Sequence, residues 1–116
     1  MVQTASRRFP GVRFEKRDIL KKTPLEMWDY AFISGVMNHK VRDNWAWVEK
    51  MAKGALRLAR IGLGFNLLID ETPWKDSDLF YANRKLLEEK ISQWSGGKYK
   101  MVSGYLAEDI TAFLYH

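Results

Sequence analysis

Apolar residues after Asp43 recur at helical spacing. Trp45, Val48, Met51 with Ala52, Ala55 with Leu56, Ala59 and Leu63 fall along one side of a helix that starts near Asp43 and persists to Arg60 or beyond. Lys50, Lys53, Arg57 and Arg60 recur at spacings of three and four, which sets them on one other face. Beyond Arg60 the pattern changes. Ile61–Ile69 carries no charge, and Asp70 ends it. Its odd positions, Ile61, Leu63, Phe65, Leu67 and Ile69, are all large and apolar, and only Leu68 breaks the alternation. That is a strand pattern. Gly62, Gly64 and Asn66 also lower helix propensity. Because no strong turn signal separates this tail from the helix before it, the preferred reading continues the helix.

Elsewhere the signals are local. Thr23-Pro24-Leu25-Glu26 has the form of a capping box with proline at the first helical position. It predicts a helix from Pro24 to about Met37, with Met27, Trp28, Ala31, Phe32, Ile33 and Val36 as its apolar side chains. Ser34 and Gly35 would let another backbone approach closely. Asp70-Glu71-Thr72-Pro73-Trp74 is a break. A third helix is predicted from about Ser77 to Trp94, capped by Asp76, Ser77 or Asp78 and stopped by Ser95-Gly96-Gly97. Lys98–Val102 reads as short and extended. Ser103–Tyr115 reads as a last helix carrying Leu106, Ile110, Phe113 and Leu114. The expected fold is therefore mainly α, with three to four helices, one of them a candidate for a short or interfacial membrane-associated helix, and a minor extended segment near the C-terminus. No internal repeat or domain boundary interrupts it. Residues 1–116 read as a single domain: a basic arm (1–22), two helices (23–70) and a C-terminal helical part (76–116).

Composition narrows the partners more than the fold. The chain has 116 residues, no cysteine and a net charge of +5. The missing cysteines exclude disulfides, thiolate metal sites and cysteine nucleophiles. The basic balance favours anionic partners, whether acidic protein, acidic lipid or nucleic acid. Five Trp and five Tyr suit protein interfaces and membrane–water boundaries. Arg7, Arg8 and Arg13, without any acid before Glu15, loosely follow a mitochondrial targeting segment. A membrane span needs about 20 mostly apolar residues, and Ile61–Ile69 is too short to supply them alone.

Linear catalytic motifs are missing. His39 and His116 lie far apart, and His39 with Asp43 is short of a zinc set. Gly62-x-Gly64 lacks the rest of a phosphate-binding loop. Ser34-Gly35 and Ser103-Gly104 do not form a nucleophile elbow. Glu88 and Glu89 are adjacent and diverge on a helix. No catalytic residue, metal site or cofactor is expected. The candidate sites are an anion- or lipid-headgroup-binding face, Lys50, Lys53, Arg57 and Arg60, and the interface anchors Trp28, Trp45, Trp47 and Trp74.

Val41-Arg42-Asp43-Asn44-Trp45-Ala46-Trp47-Val48 resembles the lead-in of small single-span accessory subunits of mitochondrial respiratory complex I. Thr23-Pro24-Leu25-Glu26 ahead of Arg42-Asp43-x-Trp45 is similar to a second such subunit. A charged helix after the apolar run, from Asp76 to about Lys90, keeps the same order of parts. The pattern departs where Arg57 and Arg60 interrupt the presumed span and where the C-terminal portion runs long. The resemblance implies a noncatalytic subunit without cofactor, docked on other protein subunits of a large assembly at the mitochondrial inner membrane. The alternative is a cytoplasmic nucleic-acid-binding protein, ribosome-associated or from a phage, that uses the same basic and aromatic residues.

Overall fold

The structure is a computed structural model and describes residues 7, 8, 11, 28–103 and 109–116. In chain order it contains β1 (Trp28–Ile33), a 3-10 turn (Val36–Asn38), α1 (Asn44–Leu58), β2 (Ala59–Ile69), β3 (Tyr81–Ala82), α2 (Arg84–Ser95), β4 (Tyr99–Ser103) and β5 (Asp109–Tyr115).

Helix α1 begins where the sequence places it. Asp43 is extended, and its carboxylate accepts a hydrogen bond from the Ala46 N–H at 3.1 Å, satisfying one of the orphan donors of the first turn. The helix ends at Leu58, and Ala59 is already extended at φ −98°, ψ 122°. No loop residue intervenes before β2. The absent turn signal after Arg60 thus has a physical cause: helix and strand are directly joined.

β2 is the long central strand. β1 runs parallel to it from Trp28↔Ala59 to Ile33↔Phe65. β5 runs antiparallel along its other edge, from Gly62↔Tyr115 to Leu68↔Asp109. β3 adds a short parallel pairing at Leu68 and Ile69, and β4 pairs antiparallel with β5. The order is β1-β2-β5-β4, with β3 on β2. One face of this sheet holds the core. Leu63, Phe65, Leu67 and Ile69 alternate inward from β2, and Ile110, Ala112 and Leu114 from β5. They meet Val48, Ala52, Ala55 and Leu56 of α1 and Leu87 and Ile91 of α2. Each large apolar side chain fully buried there contributes about 1.5–3 kcal/mol.

The expectation of a mainly α fold is corrected. The protein is an α/β fold, with a mixed five-stranded sheet and two α-helices among the described residues. The helix expected over Pro24–Met37 is strand β1 over Trp28–Ile33, followed by Ser34-Gly35 and the start of the 3-10 turn; its capping box lies outside the described residues. Trp28, Tyr30, Phe32 and Ile33 are aromatic or β-branched, and pairing with β2 decides their state. The tail Ile61–Ile69 is strand, as its alternation and its glycines allow. The expected last helix is β5 over Asp109–Tyr115, where alternate residues are buried. The third helix starts at Arg84 rather than Ser77, because Asn83 is its N-cap and accepts from the Leu86 N–H at 2.9 Å. Asp76 instead closes a local turn by accepting from the Asp78 N–H at 2.8 Å. Among the described residues no helix is long and apolar enough to cross a membrane.

Candidate functional site at the carboxyl ends of the strands

β1, β2, β3 and β4 all run the same way, since β5 is antiparallel to both β2 and β4. Their carboxyl ends therefore lie on one rim of the sheet. In open α/β sheets ligands bind outside such a rim, where neighbouring strands connect in different directions. Here β1 leads into α1 and β2 into the long connection to β3 and α2, so both connections leave the sheet from this rim.

The β1 end of the rim is built on Gly35. It adopts φ 73°, a left-handed conformation that suits glycine. Its N–H donates to Asn66 Oδ1 at 2.9 Å, and Asn66 Nδ2 donates to Ser34 Oγ at 3.4 Å. Asn66 comes from β2, so it fastens the exit of β1 to its neighbour. Asn38 continues the seam: its Oδ1 accepts from the Leu68 N–H at 3.3 Å and its carbonyl from the Phe80 N–H at 2.8 Å. Buried Asn44 then fixes the turn into α1, donating to the His39 carbonyl at 2.9 Å and accepting from the Val41 N–H at 3.1 Å.

The β2 end is held by charge. Arg84 grips Glu71 with two donors, Nε to Oε2 at 2.7 Å and Nη2 to Oε1 at 3.2 Å. A third, Nη1, reaches Ser103 Oγ at the end of β4 at 3.2 Å. One guanidinium thus links the exits of β2 and β4. Its hydrogen bonds hold the Glu71 carboxyl below the usual carboxylate range, and Glu71 in turn raises Arg84. Asn83 Nδ2 reaches Asp70 Oδ2 at 3.4 Å. Tyr81 turns its hydroxyl to the Asp76 N–H at 2.9 Å.

The sequence-predicted residues scatter around this rim. Lys50, Lys53 and Arg57 gather on α1 around Gly54, and Lys53 lies 3.6 Å from Glu49. Arg60 leaves that group: it sits in β2 and pairs with Asp29 of β1 at 2.7 Å. Trp45 packs edge-on against Phe80 with centroids 5.4 Å apart, under the Lys90 ammonium at 5.3 Å. Trp47 is half-buried against the core. Trp28 opens β1, and Trp74 stands 84% exposed on the connection after β2. The four tryptophans do not form one patch. Asn66, Asn38 and Arg84 are the rim residues that the linear reading missed. The one available signal was Asn66, a polar side chain inside an apolar run. Among the described residues no cluster of His, Asp and Glu is placed to hold a metal.

No family model matches the chain, and no curated protein matches it by sequence. Solved structures do match its fold. The magnesium protoporphyrin IX methyltransferase ChlM from Synechocystis PCC 6803 with bound SAH is 12% identical at a TM-score of 0.68, over 99% of this chain and 59% of that one. The same enzyme with bound SAM gives 0.65 at 11% identity, over 99% and 54%. The DhpI–SAH complex gives 0.60 at 16% identity, over 97% and 59%. The chain spans less than two thirds of each of these structures. The likeness to complex I accessory subunits is overturned by this match and by the fold itself: its Val41–Val48 motif is the start of an α/β crossover helix. The expectation of a noncatalytic, helical subunit of a respiratory complex, with a nucleic-acid binder as alternative, falls with it. It rested on missing linear motifs, whereas the fold found here is one solved in a methyltransferase with SAM or SAH bound.

Proposed function

We propose that this chain forms part of a SAM-dependent methyltransferase, with the rim at Ser34–Asn38 and Asp70–Thr72 as one wall of its site. The observation that supports this reading is the fold: a parallel β1-α1-β2 crossover with antiparallel β5 set between β2 and β4, in a chain that matches ChlM over 99% of its length at a TM-score of 0.68. The rim also suits a ligand. A Cβ built on Gly35 would meet nothing within 4 Å, so the backbone there is open to close approach. When bound, SAM supplies the methyl group. The chain's own contribution is to hold and orient. Gly35 presents an unshielded turn, Asn66 and Asn38 keep it in register with β2, and Arg84 fixes the opposite exits.

Titrating SAH into the isotope-labelled protein and following backbone amide signals tests the proposal. Shifts concentrated at Ser34–Asn38 and Asp70–Thr72, lost in Gly35→Val, are expected. No shifts, or shifts confined to Lys50–Arg57, would overturn it. The basic face of α1 supports an acidic protein or lipid surface as partner, to be tested by binding of Lys53→Glu/Arg57→Glu to acidic vesicles. An organellar address rests on Arg7, Arg8 and Arg13, and is tested by import of residues 1–22 fused to a fluorescent protein.

A further inference from the structure

On the face of the sheet turned away from α1 and α2, the middle of β2 is glycine. Gly62 pairs with Tyr30 of β1 and Tyr115 of β5, and Gly64 with Phe32 and Phe113. Partners in register share a face, so four aromatic rings stand in two columns with a glycine floor between them. They line a cavity of about 240 Å³. Phe32 and Phe113 meet edge-on over Gly64, with centroids 6.0 Å apart, and close one end. Among the described residues no ring contact joins Tyr30 to Tyr115, so the end over Gly62 is open.

The dimensions select a flat guest. Neighbouring strands lie about 4.8 Å apart, so β1 and β5 are about 10 Å apart across β2. A planar ring set between their side chains lies about 5 Å from each, inside the range of about 4.5–7 Å that aromatic pairs favour. A dry apolar cavity of about 150 Å³ admits benzene, so this larger one has room for two fused rings. The floor must be glycine for the same reason. A Cβ on Gly62 would lie 3.0 Å from Tyr115 Cδ1, and one on Gly64 2.5 Å from Phe32 Cε1.

The surrounding charge selects the sign. Lys100 of β4 pairs with Phe113 and so stands on this face. It is exposed, and among the described residues it has no ion pair. Arg60 lies on this face two residues before Gly62, and Asp29 holds it at 2.7 Å. The register slips between Trp28 and Tyr30, so Asp29 stands opposite both Arg60 and Ile61. Asp29, the acid closest in sequence to the four rings of β1 and β5, apart from Asp109 at the far rim, is thus already engaged. A lysine on a flexible stem beside an aromatic cavity attracts an anion and repels a cation.

We propose that this cavity binds a flat aromatic molecule of two fused rings that carries a carboxylate, its rings between Tyr30 and Tyr115 over Gly62 and its carboxylate toward Lys100. The cavity lies on β2 before Asn66, apart from the rim at Ser34–Asn38 and Asp70–Thr72. The proposal therefore does not depend on SAH binding.

Naphthalene-2-carboxylate titrated into the isotope-labelled full chain tests it. The ring current of the probe is expected to move the Hα signals of Gly62 and Gly64 saturably, with the Gly35 signals unchanged. Tyr30→Ala is expected to weaken binding at least tenfold. Lys100→Gln is expected to weaken it about threefold, the scale of an exposed ion pair. The neutral 2-naphthylmethanol should bind more weakly than the carboxylate and be indifferent to Lys100→Gln, and the 2-naphthylmethylammonium cation should bind more weakly still. Tyr30 is 57% exposed, and circular dichroism checks that its variant stays folded; Tyr30→Leu replaces it if it does not. Glycine signals that do not move, or binding that survives loss of the Tyr30 ring, would overturn the proposal. So would shifts confined to Ser34–Asn38 and Asp70–Thr72, which would put the probe at the rim. Equal binding of all three naphthalenes would overturn the assignment of a carboxylate to Lys100.

Discussion

The two faces of β2 carry opposite solutions to the same problem. Its inward face is a run of large side chains, Leu63, Phe65, Leu67 and Ile69, all buried beneath α1 and α2. Its outward face begins with Arg60 and ends with Leu68, and between them lie Gly62, Gly64 and Asn66, from which little projects. Bulk on that side comes from the neighbours instead, with Phe32 leaning from β1 and Tyr115 from β5 over the glycines. One face is locked by volume. The other stays low, polar at the rim and aromatic at its edge. The lesson is that stability and recognition are divided between odd and even positions of a single strand.

The division predicts unequal costs. Phe65→Ala should cost about 3–5 kcal/mol, the range for removing a buried phenylalanine, because Phe65 is 1% exposed. Phe32→Ala should cost far less. Urea unfolding of both variants checks this, and equal costs would mean that the outward face is covered as tightly as the inward one.

The two glycines sharpen the contrast. A Cβ on Gly62 would lie 2.7 Å from the Leu114 carbonyl oxygen, a backbone atom of the paired strand. A Cβ on Gly64 would lie 2.5 Å from Phe32 Cε1, the end of an exposed ring that can swing out. Gly62→Ala is expected to lose about 1–3 kcal/mol, as overpacked sites do. Gly64→Ala should lose less, and the combination with Phe32→Ala should recover part of that loss. A thermal melt in which Gly64→Ala is the worse variant would show that Phe32 is pinned.

At the rim, Asn66→Ala removes the bond to the Gly35 N–H and should cost about 0.5–1.5 kcal/mol. The amide of Gly35 should then exchange faster while core amides keep their protection. If the core loosens too, Asn66 supports the fold rather than the rim.

The smallest effect is a titration. Arg84's hydrogen bonds lower the Glu71 pKa from 4.5. A lowered folded-state value means that the pair's contribution is present above the unfolded pKa and is lost as pH falls through the folded one. The midpoint of the Glu71 carboxyl signal in NMR should therefore lie below 4.5 and return toward it in Arg84→Gln. An unchanged midpoint in that variant would remove the link between the exits of β2 and β4.

Local chemistry was legible where it acts locally. Asp43 capping α1 needs only the three residues after it, and Lys98–Val102 read as extended because glycines stop the helix before it. The apolar alternation of Ile61–Ile69 was also visible, but a missing turn signal was weighed above it. The site was less legible. Ser34 and Gly35 stood out only as a place of close approach. Asn66 lies 31 residues from the amide it holds, and Arg84 19 from Ser103, so no window of helical or strand length contains either pair. The basic face was read as four residues on one helix, and Arg60 left it because the helix stops at Leu58.

By itself the sequence determined the cap and start of α1, the apolar positions that fill the core, and the absence of cysteine chemistry. Each of these depends on side-chain type and near spacing. Tertiary structure alone decided that Trp28–Ile33, Ile61–Ile69 and Asp109–Tyr115 are strands. Aromatic and branched residues fit helix or strand by small differences in propensity, whereas pairing along both edges of β2 satisfies a whole ladder of backbone hydrogen bonds. That gain exists only once three distant segments meet. The same meeting of segments gathers the carboxyl ends of the strands into one rim and leaves β1 at the open edge.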